Sequence, residues 1–336
     1  MKKIIASLKN AWNKVVFVAK AIVYPALKKA ALTSCHAIKK AVIWLISPTN
    51  EHRAPLATAG ITALLVLFGF IYVYPFLYMI AYSFMDESDV VNPLVKYVPT
   101  HLVIDNYVAA IKTLNYNKNL WLSLGVSFVP SLLQCVSCSL IAYALSRFHF
   151  PGKKVLIALI LLTFIVPTQI TMIPTVITLT KIKIIDTLWS YVALAGSGQG
   201  LRSAIFILIF YQFFNQIPKS VEESAKIDGA NPFVIFWKIG IPTAKPAYLL
   251  TFLLSFVWYY NETTLTTIYL GNDITTLVSQ LLVFKSTYES IYAGKNVNEA
   301  VYMAGSLMTI LPLVLIYFVS QRFFVQGIDK AGITGE

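Results

Sequence analysis

Long runs of uncharged residues constrain this chain more than any other feature of its sequence. Residues 54–85 contain no Asp, Glu, Lys or Arg, and a helix needs only about 20 consecutive apolar residues to cross a bilayer. Hydrophobic residues make up 57% of the chain and charged residues 12%, whereas a soluble globular domain is about 25% charged. The sequence therefore predicts an integral membrane protein of the all-α class.

Six segments are predicted to cross the membrane as helices. They are 54–85, 119–146, 155–180, a segment from about 198 to 216, 247–270 and 300–321. The fourth is the least regular, because Arg202 interrupts it and glycines between 196 and 200 break any preceding helix. A short interfacial or re-entrant piece near 188–194 is expected to come before it.

Lys and Arg are concentrated on one side of these spans. The net charge is +12, and most basic residues lie in 1–53, 147–154, 219–245 and the last segment. Basic loops next to membrane helices stay on the cytoplasmic side. Both termini and the loop after the fourth span are therefore predicted to be cytoplasmic. Contact with the inner membrane surface explains the basic charge, so nucleic acid is not expected as a partner.

Residues 1–53 differ from the membrane domain 54–336. Lysines recur along this extension and interrupt every apolar run before it is long enough to span a bilayer. A signal peptide is not expected for the same reason. The pattern favours basic amphipathic helices that bind membrane lipid on the cytoplasmic face. A regulatory or partner-binding extension is the alternative.

The segment 220–246 is polar and lies between two apolar spans. Ser220 and Glu223 have the spacing of a capping box, which predicts a helix N-terminus at Ser220. Glu222 and Lys226 have the spacing of a stabilising i,i+4 ion pair. Gly229 is suited to end this helix in the left-handed conformation.

A second helix is expected to follow at once. Asn231 and Pro232 form a favourable N-cap and first-turn pair, and Pro242 is expected to end the helix. The segment is therefore predicted to be a compact helix-turn-helix outside the membrane.

This segment resembles the EAA loop of permease subunits in binding-protein-dependent ABC importers. The resemblance rests on Glu222, Glu223, Ala225, Asp228, Gly229 and Ala230, followed by the run Ile239-Gly240-Ile241-Pro242. Ser224 and Ile241 stand where that family usually has Ala and Leu. In the family the loop docks into a cleft of the ATP-hydrolysing subunit, so the resemblance implies that the first six residues couple ATP hydrolysis to transport. A simple connecting loop is the alternative.

A broader resemblance, over roughly 56–336, is to the MalG-type carbohydrate permeases. It is carried by motifs such as Asp105-Asn106-Tyr107 and the ending Phe324-Val325-Gln326-Gly327. It implies a sugar or oligosaccharide substrate and transport by alternating access. It also implies a second, MalF-like permease subunit, two ATP-binding subunits and an extracytoplasmic solute-binding protein. Tyr259-Tyr260 and the basic extension depart from the family pattern, so the particular sugar stays open.

No catalytic residue, cofactor or metal is expected in the chain itself. It lacks the G-x-x-x-x-G-K-[ST] loop that holds nucleotide phosphates, so ATP and Mg are expected on the partner subunits. Cys135 and Cys138 form a C-x-x-C inside an apolar segment. They are predicted to pack as small residues.

Polar and aromatic residues within the spans are candidates for lining a sugar pathway. They are Gln134, Thr168, Gln169, Tyr259, Asn261 and Glu262. A carboxylate within a span is costly, so Glu262 either faces a pathway or makes a structural hydrogen bond to a neighbouring helix. Two other functions stay open. An importer of another solute, such as an oligopeptide, would lack the 324–327 ending, and a secondary transporter would need no ATPase.

Overall fold

The structure, a computed structural model, describes residues 55–294 and 296–332, with side chains from 58 to 321 except Lys295. These residues form helices and connecting turns without a strand among them, which confirms the all-α class. The chain divides into two compact units, 1–77 and 78–336, and the packing reported below lies within the second unit. The predicted extension 1–53 lies outside the described residues.

The helices follow one another closely along the chain. They are α1 (Pro55–Ser83), α2 (Glu87–Val91), α3 (Asp105–Leu114), α4 (Tyr116–Arg147), α5 (Lys153–Ile165), α6 (Thr168–Lys181), α7 (Trp189–Gly196), α8 (Ser203–Gln216), α9 (Lys219–Ile227), α10 (Pro232–Ile235), a π-helical turn (Phe236–Gly240), α11 (Ile241–Thr243), α12 (Lys245–Asn261), α13 (Thr264–Leu270), α14 (Leu277–Leu282), α15 (Phe284–Ile291) and α16 (Glu299–Gly332).

Three helical stretches are long and apolar enough to cross a membrane, which agrees with a multi-pass membrane protein. They are Thr58–Ser83, Tyr116–Arg147 and Glu299–Gln321, and two bent helix pairs would raise the number to five. The apolar helix α8, in the predicted fourth span, has 14 residues, fewer than the roughly 20 that a straight span requires. By length and composition, the described residues therefore supply three to five spans.

The predicted third span is not one straight helix. Helices α5 and α6 meet at an angle of 104°. The break lies at Val166, whose backbone is extended, and at Pro167, which precedes α6. A residue before proline disfavours the helical conformation, and proline itself donates no backbone hydrogen bond. Similarly, the predicted fifth span is interrupted at Glu262, between α12 and α13.

Helix α4 lies at the centre of the second unit and packs against α7, α8 and α12. Many of its buried residues are small, including Ser127, Ser131, Cys138 and Ala142. Small residues let membrane helices approach closely and hydrogen-bond to one another. Cys135 and Cys138 are both buried and free, as their position in an apolar helix predicts.

The polar segment forms two helical legs joined by a tight turn, and we call residues 219–243 the polar hairpin. Its first leg is α9 and its second leg is Pro232–Thr243. Gly229 has φ +83° in the turn, and the Asn231 side chain accepts a hydrogen bond from the Val234 amide at 2.8 Å. The predicted turn and the predicted start of the second leg are therefore confirmed.

Two predictions about the ends of the legs are wrong. The first leg begins at Lys219, after Pro218, with no side-chain cap hydrogen bond, so Ser220 and Glu223 form no capping box. Pro242 lies inside the second leg and does not end it. A π-helical turn precedes it, in which the Ile241 amide donates to Phe236 O five residues back. Hydrogen bonds in a π-helical turn join residues five apart instead of four. The helix therefore continues through Pro242, whose backbone has no N–H to donate.

Candidate functional site

The outer surface of the polar hairpin combines negative charge with apolar side chains. Glu223, Asp228 and Gly229 are exposed. Ile227 is 87% exposed next to them, and Phe233 and Trp237 on the second leg are 64% and 54% exposed. Large apolar side chains on a protruding polar element are typical of a surface that binds another protein.

The apolar part of this surface was missed by sequence reasoning. Phe233 and Trp237 are four residues apart, and their ring centroids are 6.4 Å apart on one side of the second leg. The i,i+4 spacing of two aromatic residues was a usable signal. Of the remaining residues in the EAA resemblance, Ala225 and Ala230 are half-buried.

The inner side of the first leg carries a buried charge. Glu222 is 6% exposed and is the buried residue of this leg. Its Oε1 lies 2.6 Å from Nε of Arg147, the last residue of α4, and the two side chains are only 8% and 7% exposed. The predicted pairing of Glu222 with Lys226 is therefore wrong, because a tertiary partner has replaced the local one.

Arg147 also holds the chain that leads into the hairpin. Its Nη2 donates to the backbone oxygen of Ile217 at 2.9 Å, and Ile217 is buried. One guanidinium thus contacts both the first leg and the residue that follows α8. The planar group of arginine, with its several donors, is well suited to such a double contact.

The inner side of the second leg is apolar. Phe236 is 3% exposed. Its ring centroid lies 5.0 Å from that of Tyr143 on α4 and 6.2 Å from that of Phe214 on α8. Tyr143 and Phe214 pack edge to face at 5.3 Å. These residues belong to one hydrophobic cluster that joins the second leg to α4, α8 and α12.

Two of the residues predicted to line a sugar pathway meet at the start of α8. Gln134 and Tyr259 have no exposed surface. The Gln134 amide donates to Leu201 O at 2.6 Å and to Ser203 Oγ at 3.0 Å, and its oxygen accepts from Ser255 Oγ at 3.0 Å. The Tyr259 hydroxyl accepts from the Leu201 amide at 3.2 Å. Both side chains thus join α4 and α12 to the start of α8.

The other four candidates lie elsewhere. Thr168 and Gln169 are exposed at the start of α6. The exposed Asn261 donates to Val257 O in its own helix at 2.9 Å. Glu262 accepts from the Leu265 amide at 3.0 Å, which caps α13. The carboxylate thus makes a local hydrogen bond within the predicted fifth span, and its role in a pathway stays a prediction.

Neither a cavity nor a cluster of titratable side chains brings the six pathway candidates together in the described part of the chain. An open cavity of about 370 Å³ lies between α4 and α7, with aromatic walls from Trp121, Trp189 and Tyr191. None of the six pathway candidates lines it. In the described part of the chain, no three His, Cys, Asp or Glu residues come together in a way that could hold a metal ion.

Known proteins with related sequences and folds are membrane components of transporters. The chain is 29% identical over 280 residues to the polygalacturonan/rhamnogalacturonan transport system permease protein YtcP of Bacillus subtilis, covering 81% of this chain and 96% of that protein. It is 26% identical over 294 residues to the arabinooligosaccharides transport system permease protein AraQ of Halalkalibacterium halodurans, covering 85% and 100%.

A solved structure shares the fold. The crystal structure of a bacterial ABC transporter involved in the import of the acidic polysaccharide alginate contains a chain that matches with a TM-score of 0.63 and 24% identity. The match covers 83% of this chain and 100% of that one. The family described as binding-protein-dependent transport system inner membrane component matches residues 135–330. The chain belongs to this family.

Proposed function

We propose that the chain is one of two permease subunits of an ATP-driven importer that carries a sugar or oligosaccharide across the cytoplasmic membrane by alternating access. A second, MalF-like permease completes the pair. Two ATP-binding subunits hold ATP and Mg on the cytoplasmic side, and an extracytoplasmic solute-binding protein delivers the sugar. Both termini and the polar hairpin face the cytoplasm. Helix α8 is the fourth of six crossings, and the bent pair of α5 and α6 is the third.

One observation carries the proposal: the polar hairpin is fixed on its inner side and exposed on its outer side. Glu223, Asp228 and Gly229 are exposed, and so are Phe233 and Trp237 on the second leg. Protein interfaces favour aromatic residues surrounded by polar groups. A hairpin of this kind fits a cleft of the ATP-binding subunit, with the carboxylates making polar contacts at its edge.

The substrate class rests on the relatives. Two related permeases are named for the transport of polygalacturonan/rhamnogalacturonan and of arabinooligosaccharides, and the transporter of related fold is involved in alginate import. All three names concern carbohydrate. An oligopeptide importer or an ATP-independent transporter is the competing function.

Docking alone does not drive transport. A contact that is equally strong in two conformations shifts neither population, so the hairpin must bind the ATP-binding subunits differently in the inward-open and outward-open states. The exposed turn at Gly229 is the part of the hairpin best placed to feel such a difference, because Gly229 is exposed and a side chain added there would meet open space.

Two matched glycines test the docking role. Gly229 and Gly152 both have φ +83° and open space around the position of a side chain. Asparagine tolerates this backbone conformation better than other non-glycine residues. The variants Gly229→Asn and Gly152→Asn therefore introduce the same side chain and similar backbone strain, but only the first lies in the proposed docking surface.

The measurement is ATP-dependent sugar uptake by the full complex in proteoliposomes, with the solute-binding protein and a pectin digest that supplies oligogalacturonides and arabino-oligosaccharides. Gly229→Asn should reduce uptake by about tenfold, a loss typical of one disturbed coupling contact. Gly152→Asn should stay close to wild type. Uptake of an oligopeptide digest in place of sugar, or uptake without an ATP-binding subunit, would refute the proposed function.

A further inference from the structure

The buried ion pair of Arg147 and Glu222 joins the first leg of the polar hairpin to the end of α4. The two charged atoms are 2.6 Å apart, and each side chain is less than a tenth exposed. Glu222 is the buried residue of the first leg. The pair therefore links this leg to the end of α4, and Arg147 also binds Ile217 O just before the leg.

An ion pair is an unusual choice for such a position if only stability is needed. Removing two charges from water is costly, and apolar residues of similar volume often serve as well or better. What a buried pair supplies is a restraint on distance, because moving the two groups apart would leave each charge buried without its partner. The first leg is thus held close to the end of α4.

Helix α4 continues from this pair into the centre of the protein. Gln134 lies on the same helix, thirteen residues before Arg147, or about 20 Å along the axis. No proline interrupts the helix between them. At Gln134 the helix is bonded to Leu201, Ser203 and Ser255. Arg147 and Gln134 are therefore joined by an unbroken stretch of helix, which is bonded at Gln134 to the start of α8 and to α12.

We infer that Arg147 and Glu222 are positioning residues that transmit the movement of the first leg to α4, and through Gln134 to α8 and α12. The inference rests on the proposed function, because it assumes that an ATP-driven subunit moves the hairpin. Docking itself uses other residues of the hairpin, among them Glu223 and Asp228, which are exposed. Loss of the pair should therefore separate ATP hydrolysis from transport without preventing docking.

The decisive variant is R147M/E222M, which replaces both charges by flexible apolar side chains and leaves neither partner buried alone. The single variants R147M and E222M accompany it, and R147K tests whether charge without the planar group is enough. The wild type and all variants are purified as full complexes in proteoliposomes with the solute-binding protein. The probe is the same pectin digest.

Three quantities are measured: the amount of ATP-binding subunit that co-purifies, the rate of ATP hydrolysis, and the amount of sugar taken up per ATP. The double variant should retain the ATP-binding subunit and hydrolyse ATP within about twofold of wild type, while uptake per ATP falls about tenfold, within the range of single coupling links. Uptake per ATP by R147K should lie between that of the wild type and that of the double variant. A purely structural role would lower assembly and hydrolysis together with uptake.

The outcomes separate this inference from the function on which it rests. Wild-type uptake per ATP in the double variant would overturn the inference and leave the importer intact. Loss of the ATP-binding subunit from the double variant would also overturn it, because the pair would then serve docking. No ATP-dependent uptake by the wild-type complex would overturn the proposed function and the inference together.

Discussion

The two legs of the polar hairpin are attached to the same helices by opposite kinds of contact. The second leg inserts Phe236 into an aromatic cluster with Tyr143 and Phe214, whereas the first leg contributes the charged Glu222 to Arg147. Apolar burial stabilises in proportion to area and is not directional. A buried ion pair adds little net stability, but separating its two partners is costly. The second leg therefore anchors the hairpin, and the first leg is tied to the end of α4.

The largest effect on stability is expected from breaking the apolar attachment. Phe236→Ala should lower the free energy of unfolding by about 4 kcal/mol, because a buried aromatic ring is removed and a cavity remains. Denaturant titration in detergent, followed by circular dichroism, measures this change. The adjacent Trp237 is 54% exposed, so Trp237→Ala should cost no more than about 0.5 kcal/mol. Equal losses for the two variants would contradict the assignment of the second leg as the anchor.

Breaking one half of the charged attachment should have the next largest effect. Glu222→Ala leaves Arg147 without its carboxylate and should cost about 3 kcal/mol. Replacing both partners in R147M/E222M should bring stability back to within about 1 kcal/mol of wild type. The same titration tests both values. If the double variant is as unstable as Glu222→Ala, the pair is a stabilising contact and the contrast between the legs disappears.

The smallest effects, of opposite sign, are expected at two glycines. Gly229→Ala should destabilise by about 1 kcal/mol because φ is +83° at that position. Gly240 has φ −60°, and a methyl group there would lie 3.5–3.6 Å from Phe236, Phe214 and Tyr143. Gly240→Ala should therefore stabilise by about 0.5–1 kcal/mol. Destabilisation at Gly240 would show that the cluster has no room for a methyl group.

Features of the hairpin that depend on neighbouring residues could be predicted from the sequence. Gly229 is in the left-handed conformation and Asn231 caps the second leg, because both are determined by a few adjacent residues. Predictions that ignored the rest of the fold were wrong. Glu222 was assigned to Lys226 four residues away, but it pairs with Arg147, which lies in another helix and becomes its neighbour only when the chain folds.

The membrane spans, too, could be predicted only in part from the sequence. Apolar length identifies Tyr116–Arg147 and Glu299–Gln321, but it cannot show that Val166 and Pro167 bend a single apolar run by 104°. Polarity alone also did not reveal the surroundings of Gln134 and Tyr259, which are fully buried and bonded to the backbone of Leu201. Whether the pathway candidates contact sugar in another conformation stays a prediction.

The most direct test of the account is cross-linking from the outer surface of the polar hairpin. In a chain with Cys35, Cys135 and Cys138 replaced by serine, Asp228→Cys is treated with a bifunctional thiol reagent in the full complex. If the polar hairpin docks as proposed, Asp228→Cys forms a cross-link to the ATP-binding subunit from the cytoplasmic side, with a yield that changes when ATP is bound. A cysteine that reacts only from outside the cell, or that never cross-links to this subunit, would contradict it.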